Sequence, residues 1–224
     1  MHKLSPSDFA YLYEECKHCF YLKIKGHISR PSLPFPSVFT AMNSHIQGDL
    51  IGKSLKTLSP EMPEGIVESQ EGFVRSNLIP GTSLYISGKY DLLVKKSDGS
   101  YLLVDLKISK PSEEKAAKYS MQLAAYKFAM ENPLKNEPIK ISSHGLLILY
   151  PNGADFERET VRIDMAPTWF EVESVEKEFV DFMDEIGGLL AGPLPKENPN
   201  CKWCEYRHYG ERVSHKPVVD DIPF

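Results

Sequence analysis

No apolar run in this 224-residue chain continues for much more than about ten residues, against the roughly 20 that a membrane-spanning helix needs. The first residues, MHKLSPSDFAYLYEE, lack the apolar region of a secretory signal. A soluble cytoplasmic protein without a membrane partner is therefore expected. An excess of basic residues is also missing, since 26 Lys and Arg face 31 Asp and Glu for a net charge of -5. No positive field covers the whole molecule, so a nucleic-acid partner would be met by local cationic clusters and bound metal. Neither an internal repeat nor a low-complexity segment occurs. With 42% hydrophobic and 25% charged residues, the composition is that of one well-filled globular domain.

Cysteine is scarce, and every one of the four falls in a C-x-x-C pair: Cys16-Lys-His-Cys19 and Cys201-Lys-Trp-Cys204. In a cytoplasmic chain this spacing argues for metal binding rather than disulfides. Two such turns fill the four positions of one ion or cluster. The site would staple the two ends of the chain together, with folding coupled to metal loading.

The remaining sequence reads as an α/β order. Residues 5–26 are expected to form a helix started by Ser5 or Ser7, and 38–58 a second helix with Phe39, Met42, Ile46, Leu50 and Leu55 near helical spacing. Strands are expected over 72–78, 83–95 and 100–108, the last two joined through the turn signal SDGS. A strong helix then begins after Ser112, a buried strand covers SSHGLLILYP, an edge-like strand FERETVRID, and a further helix runs over 167–190.

Within the strands, three charges stand where apolar residues would be ordinary. Asp105 and Lys107 in YLLVDLK are two apart, so both side chains point to one face of the sheet. Asp91 ends or interrupts the preceding strand and can approach that face across the hairpin. Two converging carboxylates repel unless a cation holds them, and Mg²⁺ or Mn²⁺ takes such oxygen ligands. An isolated D-x-K would be read as a surface ion pair worth at most about 1 kcal/mol.

The trio is not isolated. GKYD, DLK after thirteen intervening residues and QLAAY in the next helix together resemble the PD-(D/E)XK nuclease superfamily, in its RecB-like branch. The resemblance implies a restriction-endonuclease-like core, a mixed sheet flanked by helices. It matches Asp91 and Asp105 to the metal-binding acids, Lys107 to the catalytic lysine, Gln122 and Tyr126 to a Q-x-x-x-Y motif, and His45 in MNSHIQGDLIG to an upstream metal-ligating histidine. Glutamate is the other acid allowed at the position of Asp105. The implied chemistry is Mg²⁺- or Mn²⁺-dependent hydrolysis of phosphodiesters in DNA by an exonuclease, at single strands or ends, in recombination, repair or mobile-element and phage DNA processing.

RecB-like nucleases of the AddB and CRISPR-adaptation types often hold an iron–sulfur cluster with one cysteine before the core and three after it. CKHCFYLK and CKWCEYRHYG resemble those segments, except that Gly210 stands where a last ligand is expected and Cys19 supplies an extra one upstream. The resemblance implies a [4Fe-4S] cluster on Cys16, Cys19, Cys201 and Cys204, and a structural Zn²⁺ is the alternative. Tyr11, Tyr13, Phe20, Tyr21, Trp203 and Tyr206 near these cysteines are candidates to stack bases or to pack around the metal, and Lys17, Lys23, Lys25, Lys202 and Arg207 to meet phosphates.

The expected organisation is a single nuclease domain over 1–214, with its core at about 38–190 and cysteine segments at 5–30 and 195–210, followed by a tail at 215–224. The last residues, Asp220-Asp221-Ile222-Pro223-Phe224, resemble the tip of bacterial single-stranded DNA-binding proteins, which implies docking on a repair or replication protein. A non-catalytic nucleic-acid-binding or adaptor protein on the same fold is the alternative function.

Overall fold

Period-two apolar alternation and runs of helix formers divide the chain into strands and helices. The computed structural model describes residues 1–31, 36–157 and 159–214; the tail expected to dock a partner lies outside them. The strands are β1 (His2–Leu4), β2 (Ile66–Gln70), β3 (Phe73–Leu78), β4 (Leu84–Lys89), β5 (Leu92–Lys95), β6 (Tyr101–Ile108), β7 (Ile141–Glu157) and β8 (Thr160–Val172). The α-helices are α1 (Lys17–Lys25), α2 (Ser37–Leu50), α3 (Glu113–Glu131), α4 (Glu176–Ala191) and α5 (Lys202–Ser214). Among the described residues no helix is long and apolar enough to cross a membrane.

The strands form two sheets, one ordered β1-β4-β3 and a larger mixed one ordered β2-β5-β6-β7-β8. In the larger sheet only β6 and β7 are parallel, and α3 makes the crossover between them. The hairpin of β5 and β6 closes as SDGS predicts. Gly99 takes φ +81° there, and Asp98 Oδ1 accepts from the backbone N–H of Ser100 at 2.9 Å.

Alternation along β6 separates two cores. Leu102, Val104 and Leu106 pack with Leu92, Val94, Leu147 and Leu50 on one side. Leu103 packs on the other with Leu93, Leu146, Ile148 and the Tyr119, Leu123, Tyr126 face of α3. Leu123 is wholly buried, and burial of such a side chain contributes about 1.5–3 kcal/mol. A third core joins Phe9, Phe20, the four cysteines and Phe179, Met183 and Ile186 of α4 to Ala124, Ala125 and Ala129 of α3.

Four expected elements differ in detail. The helix expected over 5–26 is a π-helical turn (Phe9–Tyr13) and then α1, separated at Cys16, whose extended backbone (φ -163°, ψ 102°) caps α1. The helix expected over 38–58 ends at Leu50, with a 3₁₀ turn over Leu55–Thr57 beyond it. The strand expected over 83–95 is two strands in different sheets, broken at Tyr90 and Asp91. The segment 167–172 belongs to β8 and not to a helix, because pairing of Trp169 with Leu147 and Phe170 with Leu146 outweighs local helix preference.

Candidate active site

The break between β4 and β5 places the first carboxylate. Opposite it lies the turn between β2 and β3, where Glu71 N–H donates to the Asp91 carbonyl at 2.8 Å and Tyr90 N–H donates to the Gly72 carbonyl at 3.0 Å. A Cβ on Gly72 would stand 2.2 Å from the Tyr90 hydroxyl, so the close approach requires glycine. Asp91 Oδ2 accepts from Leu106 N–H at 2.8 Å, which fixes its side chain against β6.

Asp105 and Lys107 occupy the alternate positions of β6 that face α3. Asp105, 5% exposed, accepts through Oδ1 from Gln122 Nε2 at 2.8 Å. Lys107 Nζ lies 2.6 Å from Asp105 Oδ2 and 3.8 Å from Asp91 Oδ2. One helical turn beyond Gln122, the Tyr126 hydroxyl donates to the Lys89 carbonyl at 2.6 Å and ties α3 to the strand that leads into Asp91. The spacing of Gln122 and Tyr126 thus holds both approaches to the site, one through the acid and one through the backbone.

Burial, and then the charge of Asp105, raise the Asp91 carboxyl to about 6, against the opposing pull of Lys107 and Leu106 N–H. Burial likewise pushes Asp105 up, against Lys107 and Gln122. For Lys107 burial favours the neutral amine, but the two carboxylates more than offset it and the ammonium is retained. When all three groups are ionised the cluster carries one excess negative charge. Two hard oxygen ligands short of a cation fit Mg²⁺ or Mn²⁺.

His45 does not join this group. It lies on the exposed side of α2, and among the described residues it completes no close set of three ligands with Asp91 and Asp105. The buried polar residue of that helix is Gln47, a position to which the sequence pattern did not point. Tyr119 was also missed. Its ring stands 5.2 Å from Lys107 Nζ, and its hydroxyl is hydrogen-bonded to that of Tyr11, whose ring meets it edge-on at 6.0 Å. Three residues before Gln122 on a helix, Tyr119 shares a face with it, and that spacing was the available signal.

The aromatics and cations proposed for nucleic acid divide unevenly. Tyr13 and Phe20 are core residues packed edge to face, whereas Tyr11 and Tyr206 are exposed. Lys17, Lys23, Lys202 and Arg207 are paired with Glu185, Asp8, Glu205 and Glu197 respectively.

The two C-x-x-C segments do converge. All four sulfurs are buried and lie within 4.8 Å of one another, close enough to hold a metal. Cys16 and Cys201 each directly precede a helix, α1 and α5, and Cys19 and Cys204 sit in the first turns.

Comparison with solved structures finds similarity to SSO0001, at 14% identity over 92% of this chain and 84% of that one, with a TM-score of 0.48. An alkaline exonuclease from Laribacter hongkongensis is similar at 14% identity over 95% of this chain and 93% of that one, with a TM-score of 0.46. No curated protein matches by sequence. The model of the PD-(D/E)XK nuclease superfamily matches residues 39–209, which include both aspartates, all of α3 and the second C-x-x-C. With that match spanning well over half of its length, the chain belongs to the PD-(D/E)XK nuclease superfamily.

Proposed function

We propose that the protein is a metal-dependent deoxyribonuclease that hydrolyses phosphodiesters at single strands or DNA ends. The observation that carries this reading is the convergence of Asp91, Asp105 and Lys107 at one place, with Gln122 bonded to the more buried acid. Asp91 and Asp105 would hold Mg²⁺ or Mn²⁺. Such an ion supplies Lewis-acid stabilisation of a phosphate and lowers the pKa of water.

The chain's own residues prepare the rest. Gln122 keeps Asp105 Oδ1 in one orientation, and Leu106 N–H does the same for Asp91 Oδ2. Lys107 is at present the counter-cation of both acids. Beside a phosphate held at these acids, its ammonium would stabilise the negative charge that grows under attack. Tyr119 flanks Lys107, and its partner Tyr11 has a partly exposed ring, with the Lys118 ammonium 4.3 Å from its centroid, on which a base of a single strand could stack in place of that lysine. Recombination, repair or mobile-element processing, and docking of the tail on a repair protein, extend the same reading.

Incubation of end-labelled single-stranded DNA with Mg²⁺ or Mn²⁺ tests it, using the wild type, Asp105→Ala and Lys107→Ala. Cleavage that requires metal and is lost in both variants is expected. Absence of metal-dependent cleavage in the wild type, or full activity in both variants, would sink the proposal. His45→Ala settles the third ligand: unchanged affinity for Mn²⁺ would remove His45 from the set.

A further inference from the structure

The four cysteine sulfurs are spaced for one ion. Cys16 and Cys204 Sγ are 3.8 Å apart, Cys19 and Cys201 3.8 Å, and Cys19 and Cys204 3.7 Å. These distances are far longer than a disulfide bond of about 2.05 Å. A tetrahedral Zn²⁺ binds thiolate at about 2.3 Å, and the edge of that tetrahedron is about 1.6 times longer, or about 3.8 Å. A [4Fe-4S] cubane makes a different demand. Each thiolate binds its own iron and points outward from the cube, so the four sulfurs must stand apart by more than the iron–iron edge plus the outward reach of two bonds. That requirement exceeds the 4.8 Å within which all four sulfurs lie. The residues present therefore do not fit the cluster that the family resemblance implies.

We infer that Cys16, Cys19, Cys201 and Cys204 hold a single, tetrahedrally coordinated ion of the zinc class and no iron–sulfur cluster. Four thiolates around a divalent ion carry two net negative charges, and two guanidiniums, each also paired with a carboxylate (Arg30 with Glu15, Arg207 with Glu197), donate to the sulfurs. Arg30 Nη2 donates to Cys201 Sγ at 3.3 Å, and Arg207 Nη2 donates to Cys204 Sγ at 3.3 Å. All four cysteines sit at the N-termini of α1 and α5, where the positive ends of two helix dipoles lie. Asn198 Nδ2 donates to the Glu15 carbonyl at 2.7 Å, so the segments before α1 and α5 are also tied directly beside the ion. The division of ligands into two plus two follows from this symmetry. Each helix start contributes its preceding residue and one residue from its first turn, and Gly210 is not needed as a ligand position. The ion would clamp α5 to the N-terminal segment that carries Tyr11 towards Tyr119.

Metal content of the full chain tests the inference without any nuclease assay, so its failure would leave the proposed activity standing. Protein purified anaerobically from iron-replete cells should contain one zinc per chain and no acid-labile sulfide, and should be colourless. Titration with an organomercurial should release that zinc in step with reaction of the four thiols. Replacement by Co²⁺ should give the visible d–d bands of a tetrahedral tetrathiolate. Acid-labile sulfide in amounts matching bound iron, or freshly purified protein without bound metal, would overturn it. Cys16→Ser is expected to lose the zinc. If that variant fails to fold, the mercurial titration of the wild type still decides the matter.

Discussion

Replacing Asp91 by asparagine should make the metal-free protein more stable while destroying its proposed function. The carboxyl of Asp91 titrates near 6 in the folded protein against 3.8 for the free side chain, with burial and then Asp105 as the causes. About two pH units at about 1.4 kcal/mol each make the ionised group cost about 3 kcal/mol at most. Between pH 4 and 6 the folded state binds more protons than the unfolded one. Wild-type stability in the absence of added divalent metal therefore falls as pH rises through that window, and is level above it as far as this group is concerned. Asparagine carries no charge and keeps a carbonyl oxygen for Leu106 N–H, so it removes the cost and retains the bond. Urea unfolding followed by tryptophan fluorescence, without added divalent metal, should show Asp91→Asn ahead by up to about 3 kcal/mol at pH 8 and no difference at pH 4. Saturating Mg²⁺ should then reverse the order. At 1,000 times the dissociation constant a ligand of the native state adds about 4.1 kcal/mol, and only the wild type would receive it. A variant less stable than the wild type at pH 8, a gain that persists at pH 4, or equal stabilisation of both proteins by Mg²⁺ would refute the electrostatic account.

Gln122→Leu removes the donor to Asp105 Oδ1, and loss of such an outer partner should lower Mn²⁺ affinity or cleavage by about 10- to 100-fold; calorimetric titration with Mn²⁺ checks it, and unchanged affinity and rate would reduce Gln122 to a packing residue. Gly88→Ala puts a Cβ 2.9 Å from Pro6 and 3.1 Å from the Tyr126 ring, so urea unfolding should show a loss of about 1–3 kcal/mol, and an unaffected midpoint would show that Tyr126 yields freely. Tyr11→Ala, made in the Asp105→Ala background to prevent cleavage, should weaken single-stranded DNA binding by about 1–3 kcal/mol in fluorescence anisotropy. Equal binding with and without the ring would exclude Tyr11 as a stacking platform.

The parts of the site that were readable from sequence depend on local periodicity. Asp105 and Lys107 share a face because strand side chains alternate, and Gln122 and Tyr126 share one because they are four apart on a helix. The hairpin between β5 and β6 was readable for the same reason, since SDGS states its own turn. The family match to residues 39–209 and the mixed sheet agree with that reading. What escaped was set by distant partners. The interruption at Asp91 was readable, but the change of sheet there was not, because β4 and β5 pair with different distant strands and Tyr90 packs closely on Gly72, eighteen residues upstream. The strand over 167–172 likewise exists because β7 pairs with it, and Pro167 in isolation reads as a helix start.

The cysteine segments show the same limit in a chemical form. Spacing alone identified a four-thiol site, and the distances agree, but spacing does not distinguish one ion from a cluster. That distinction lies in sulfur–sulfur separation, which is decided by how closely α1 and α5 approach. It also lies in Arg30 and Arg207, which meet the sulfurs from outside or beyond the C-x-x-C pairs. The resemblance of CKWCEYRHYG to cluster-binding segments carried the expected metal with it, whereas the structure places Cys16 and Cys201 directly before two helices with all four sulfurs within 4.8 Å of one another. The site should accordingly be assigned from its sulfur–sulfur edges, and those edges fit one ion.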